Sequence, residues 1–185
     1  MKYILESISD YLESKNPEEV NIWLSHDLSD PMSLVKQIQS EFSSTKIYFW
    51  PASIDYYDDN FDFSHLEEVV SEYEKQFETV QNNIIISRLN NDFSFLCIKP
   101  HNLDDAGIYY NGLVQGYEDE DGDKYVTLTL PSLYEADLVL ITINEEIEQD
   151  IQDEMLDTYG IISGMQIAEK PALFLHNLNN VEVIM

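Results

Sequence analysis

Thirty-six Asp and Glu stand against nine Lys and Arg in this 185-residue chain, a formal charge of −27. No other feature limits so strongly what it folds into. Carboxylates must stay in water or find a partner, and partners are scarce: Arg88 is the only arginine. Each element must therefore carry an apolar side for the core and an acidic side for solvent. The chain also repels nucleic acid and anionic membrane and attracts basic surfaces.

The charge does not make it a disordered tail. Apolar residues make up 44% and aromatics 12% of the sequence, which supports a packed core. The length suits one domain over 1–185, with a sub-boundary near 100–105 as the alternative. Cys97, the single cysteine, lies in the apolar run 93–98 and reads as a small buried hydrophobe, which suits a reducing compartment. The N-terminus meets Glu6 too early for a secretory leader, and no apolar run approaches the roughly 20 residues of a membrane span. The expected location is the cytoplasm.

Periodicity predicts a helix over 2–14, with Ile4, Ile8, Tyr11 and Leu12 on one face and Glu6, Asp10 and Glu13 on another. Residues 20–24 fit a short strand or a helix continuation. Asp30-Pro31 signals a helix start, with Leu34, Val35, Ile38 and Phe42 inward. Residues 46–50 read as a strand stopped by Pro51, and 52–63 as an acidic, aromatic loop. Ser64 and Glu67 fit a capping box for a helix that buries Leu66, Val69, Val70, Tyr73 and Phe77. Asn90-Asn91-Asp92 between 83–89 and 93–98 predicts a hairpin, as does the acidic tip 118–123 between 107–117 and 124–130. Residues 136–143 read as a strand and 145–157 as a helix ended by Gly160. Two strands, 161–167 and 173–185, close the chain. The hairpin signals predict an α+β fold, an antiparallel meander with three to four amphipathic helices.

No motif dictates a reaction. Asp119, Asp121 and Asp123 surround Gly122, yet a calcium loop needs glycine sixth and glutamate twelfth; counted from Asp119 those positions hold Lys124 and Leu130. His26, His65, His101 and His176 lack ligand spacing on any one helix. Gly107, Gly112 and Gly116 are too far apart to cradle phosphate. Eight scattered lysines and one arginine cannot neutralise a row of nucleic-acid phosphates. The sequence predicts no catalytic residue, no cofactor and no metal site, and the chain reads as not an enzyme.

Three acidic stripes remain: Glu6-Asp10-Glu13, Glu67-Glu74-Glu78 and Glu146-Asp150-Asp153-Asp157. Helical steps of three or four place carboxylates about 5–6 Å apart, a spacing that imitates a phosphate backbone. The sequence therefore predicts an inhibitor that occupies the basic, nucleic-acid-binding surface of a target protein, by analogy of charge and size with anti-restriction, anti-CRISPR and nuclease-toxin immunity proteins. Its partner would be a nuclease or another nucleic-acid-binding protein, met as a monomer or homodimer. Asp55, Asp58, Asp59 and Asp62 would pair with bases on the target. Tyr56, Tyr57, Phe61 and Phe63 would anchor among them. The hairpin tip at Glu118, Asp119, Glu120 and Asp121 adds to that surface. The alternatives are an acidic chaperone for a basic effector and, third, a carboxylate-dependent enzyme.

Overall fold

A computed structural model describes residues 2–25, 28, 30–56, 63–88, 112–118, 124–142 and 179–184. The chain opens with α1 (Lys2–Lys15), β1 (Glu19–Leu24), α2 (Pro31–Glu41) and β2 (Lys46–Pro51). β3 (Ser53–Tyr56), α3 (Phe63–Thr79) and β4 (Asn83–Arg88) follow. The remaining elements are β5 (Val114–Glu118), β6 (Lys124–Leu128), α4 (Leu130–Glu135), β7 (Leu138–Thr142) and β8 (Val181–Ile184).

Five strands form a sheet of order β2-β1-β4-β7-β8, and every neighbouring pair is parallel. The expected antiparallel meander is thereby corrected: the architecture is α/β. Burial on both faces explains the central strands. Val20 to Leu24, Asn83 to Ser87 and Leu138 to Ile141 are buried without interruption, and a strand covered on both sides needs no polar alternation. The predicted 83–89 hairpin arm is thus the interior strand β4. Its supposed partner at 93–98 lies outside the described residues, as do the sub-boundary at 100–105, the 145–157 helix and the 161–167 strand. One antiparallel unit does occur: β3-β6-β5, with β5 and β6 paired from Val114↔Leu128 to Glu118↔Lys124.

The helices divide between the two faces. On one, Ile4, Ile8, Tyr11 and Leu12 of α1 and Leu34 and Ile38 of α2 pack on Val20, Ile22, Leu24, Ile84, Ile86, Leu138 and Leu140. Val35 and Phe42 lean on this core while partly exposed. Asp30 caps α2 as the sequence predicts: its carboxylate accepts from the Ser33 N–H at 3.0 Å, with Pro31 in the first turn. On the other face, Tyr73 and Phe77 of α3 meet Trp23 at ring-centroid distances of 5.4 and 5.6 Å. Trp50 joins them, 5.6 Å from Trp23.

A closed polar network docks the end of α3. Asn83 Nδ2 donates to the carbonyls of Phe77 (3.0 Å) and Val80 (2.9 Å). Asn83 Oδ1 accepts from Asn21 Nδ2 (2.8 Å) and Trp23 Nε1 (3.1 Å). Asn21 and Gln76 complete it: Gln76 Nε2 donates to Asn21 Oδ1 at 2.6 Å, and Asn21 Nδ2 to the Gln76 carbonyl at 3.0 Å. The helix carbonyls that α3 leaves unpaired thus find amide donors inside the protein.

Three local expectations change. Residues 53–56 are a strand, although the sequence reads as loop from 52 onward. α3 begins at Phe63, so Ser64 sits inside its first turn and not before it. The short helix α4 goes unpredicted; Pro131 starts it, and Thr129 turns its hydroxyl to the Gly112 carbonyl (2.6 Å) without capping it. No helix among the described residues is long and apolar enough to cross a membrane.

Tyr11 carries a pH signature. Its hydroxyl donates to Asn82 Oδ1 at 3.1 Å. Burial, and then the nearby Asp137 charge, push its phenol well above the ordinary value of 10.0. The unfolded chain releases this proton first, so the contribution to stability is intact below pH 10 and falls as pH rises beyond it. Tyr11→Phe is expected to flatten the extra loss of stability between pH 9 and 11, read from urea midpoints at each pH. Equal slopes for the variant and the parent would refute this.

Candidate functional site

In order of appearance, the parallel strands run 2-1-3-4-5 across the sheet. The chain leaves β1 toward β2 through α2 on one face, then returns through α3 on the other face to β4. The two connections part at the carboxyl ends of β1 and β4. In open α/β sheets such a switch point is where ligands bind.

The residues at that edge are Leu24 from β1 and Ser25 just after it, Pro51 from β2, Ser87 and Arg88 from β4, and Thr142 from β7. The backbone holds them in register: the Ser25 N–H donates to the Ile86 carbonyl (2.9 Å) and the Ala52 N–H to the Leu24 carbonyl (2.8 Å). Thr142 Oγ1 donates to the Ser87 carbonyl at 3.3 Å. Leu24 pairs with Ile86, so continuation of the register sets the buried Ser25 beside the buried Ser87. Both face α3. Alternation puts Arg88 on the opposite face, with Ile84 and Ile86, toward α1 and α2.

That face also holds a cleft of about 650 Å³ between α2 and β2, a volume typical of small-ligand sites. Leu24, Met32, Val35, Ile47 and Phe49 give it an apolar lining, while Ser25 and Gln39 add polar groups. Met32 is 62% exposed at its mouth. The usual anion position in this geometry is the N-terminus of the helix after β1. Here the Asp30 carboxylate occupies it. Arg88 is exposed and has no carboxylate partner among the described residues, whereas Lys2 and Lys46 pair with Glu6 (3.4 Å) and Glu19 (3.1 Å). Hydrogen bonds to Tyr48 and then Glu19 raise the Lys46 pKa. Among the described residues no group of three His, Cys, Asp or Glu converges as a metal site would.

Part of the predicted acidic surface lies among the described residues. Glu67 and Glu78 are exposed on α3. Glu74 is half-buried and structural: it accepts from the Leu113 N–H at 3.2 Å and crowds Gly112, where a Cβ would lie 2.7 Å from Glu74 Oε1. Asp55 and Tyr56 belong to β3, opposite Tyr125 and Lys124 of β6. Glu118 ends β5, opposite Lys124. Tyr57, Asp58, Asp59, Asp62, Asp119, Glu120, Asp121, Glu146, Asp150, Asp153 and Asp157 lie outside the described residues. The edge residues Ser25, Ser87 and Arg88 escape the sequence reading. The signal for them is Ile84-Ile85-Ile86, a buried parallel strand whose next residues must stand at its carboxyl end.

A parallel sheet of this order with helices on both faces defines a doubly wound α/β protein with a crevice at its carboxyl edge. Solved structures share the whole arrangement. 6-Phosphogluconolactonase from Plasmodium vivax superposes with a TM-score of 0.69 at 16% identity, over 98% of this chain and 84% of that one. The Thermotoga maritima 6-phosphogluconolactonase gives 0.66 at 16%, over 98% and 92%. A monomeric glucosamine-6-phosphate deaminase of the NagB superfamily gives 0.58 at 14%, over 96% and 89%. No protein-family model matches the sequence, and no curated protein matches it.

The fold is therefore that of the 6-phosphogluconolactonase and NagB-type α/β proteins. This likeness over nearly the full length of both partners overturns two expectations, the acidic inhibitor of nucleic-acid-binding proteins and the absence of enzymatic character. Acidity misled because it describes the solvated surface, and the fold is set by the buried strands beneath it.

Proposed function

We propose that this protein is an enzyme acting on a phosphorylated sugar or its lactone, at the crevice beyond the carboxyl ends of β1 and β4. The observation that carries the reading is the near full-length likeness to 6-phosphogluconolactonases and a glucosamine-6-phosphate deaminase, enzymes whose names share a sugar 6-phosphate. The switch point supplies a site of suitable kind: the Ser25 hydroxyl lines a cleft large enough for a sugar, and the Arg88 guanidinium at the same edge has no carboxylate partner among the described residues.

Hydrolysis of 6-phosphogluconolactone and release of ammonia from glucosamine 6-phosphate test this side by side. One of the two rates is expected to exceed the uncatalysed rate. If neither does, the enzymatic reading fails, and binding of 6-phosphogluconate without turnover would instead mark a ligand-binding protein on this fold.

The charge sets an unusual salt response. A phosphate dianion approaches a body of net charge −27 against long-range repulsion. The screening length shrinks from about 30 Å at 0.01 M salt to about 8 Å at 0.15 M, so repulsion fades before contact attractions do. Affinity for a sugar phosphate is expected to rise about two- to tenfold over that interval, measured by calorimetry. A steady fall with salt would contradict it.

A further inference from the structure

We infer that the phosphate of the ligand is held by Arg88 at the carboxyl end of β4, and that the N-terminus of α2 takes no part. The inference rests on the sugar-phosphate reading above and adds the position of the anion to it.

Two independent observations lead there. The first is the state of α2. The Asp30 side chain accepts from Ser33 N at 3.0 Å, so the chain's own carboxylate fills the first turn, where a phosphate would otherwise collect backbone N–H donors. A dianion placed there meets like charge. The second is the state of Arg88. The sequence has one arginine among 36 carboxylates, and among the described residues none of them pairs with it. A guanidinium is the side chain best shaped to grip a phosphate through two parallel N–H donors. This one ends the strand that flanks the switch point, on the face that carries the cleft and α2. Among the described residues, no carboxylate occupies the fork at the edge where the ligand enters.

The test is calorimetric titration of the full chain with 6-phosphogluconate and, separately, with gluconate, which lacks only the phosphate. The parent protein is expected to prefer 6-phosphogluconate. Arg88→Ala should weaken 6-phosphogluconate binding about 10- to 100-fold, leave gluconate unchanged and so erase the preference. Arg88→Lys should recover part of it, since lysine keeps the charge and loses the fork. Asp30→Ser, which keeps a capping oxygen, should retain the preference.

A preference that survives Arg88→Ala overturns the assignment while leaving the sugar-phosphate reading intact. Restoration of phosphate binding by Asp30→Ser in the Arg88→Ala background also overturns it, and places the anion at α2. A parent protein that binds neither compound removes the sugar-phosphate reading, and the assignment falls with it. Arg88 is exposed, so its variants should fold; matching thermal melts check this.

Discussion

Asn83→Leu is expected to cost about 4–6 kcal/mol, enough to bring the protein close to unfolding at 25 °C. Leucine keeps the branched heavy-atom skeleton of asparagine, so lost hydrogen bonds dominate the effect, with a smaller contribution from its greater bulk. It would strip the Phe77 and Val80 carbonyls of their donor and the Trp23 indole and Asn21 amide of their acceptor. Asn21 Nδ2 retains the Gln76 carbonyl, and the other three groups are left buried. Each buried group left without a partner costs about 1–3 kcal/mol, and a native domain holds only about 5–15. Asn83→Asp makes a sharper companion: a carboxylate still accepts from Trp23 and Asn21 and can no longer donate to α3. Its loss of stability should ease at low pH, where protonation restores one donor. Urea titration at pH 4 and 7 reads both. A loss below about 1 kcal/mol for Asn83→Leu would mean that the network re-forms without this residue.

Trp23→Ala should be comparably severe, about 4–5 kcal/mol. Trp23 is fully buried and touches Trp50, Tyr73 and Phe77. Its removal opens a cavity in the layer joining β1 to α3 and also orphans one lone pair of Asn83. Because the two side chains share a hydrogen bond, the double variant Trp23→Ala/Asn83→Leu should fall short of the sum. The neighbouring tryptophan supplies a control of opposite sign. The Trp50 indole N–H is buried without an acceptor among the described residues, so Trp50→Phe sheds an unsatisfied donor. It should change stability by less than about 1 kcal/mol or raise it. Equal costs for Trp23→Phe and Trp50→Phe would contradict the hydrogen-bond contrast between them.

Local signals in the sequence hold where they act between near neighbours in the chain. The Ile4-Ile8-Tyr11-Leu12 stripe and the Asp30-Pro31 start stand as expected, and the predicted pairing of 107–117 with 124–130 is seen over 114–118 and 124–128, with Glu118 in the strand and not in the tip. What failed was pairing. Strand partners such as Ile22 and Ile84 are 62 positions apart by register, and nothing local to either selects the other. The uninterrupted burial of Ile84-Ile85-Ile86 and Leu138-Val139-Leu140-Ile141 is the mark of strands covered on both faces, yet the same runs suit a sandwich core. Asn90-Asn91-Asp92, a turn-forming run, favours a hairpin over a crossover. The candidate site was illegible for the same reason. Ser25, Ser87 and Arg88 carry no motif and acquire meaning only once β1 and β4 lie side by side. Acidic residues, by contrast, are conspicuous in sequence and say little about topology, since solvent accepts them on any fold.

Ala52 stands between the two sheets with backbone bonds into both. Its N–H donates to Leu24 of the parallel sheet at 2.8 Å, and its carbonyl accepts from Leu128 of the antiparallel one at 3.2 Å. Next to it, the Pro51 carbonyl accepts from the Tyr73 hydroxyl of α3 at 3.0 Å. Mechanically this is a weld. The smaller sheet cannot swing as a flap over the crevice without breaking a ladder bond of β1, the strand that forms one wall. Entry and exit of a ligand must then be governed by motions that leave the β2–β3 junction fixed, and the antiparallel sheet serves the site as a rigid shoulder.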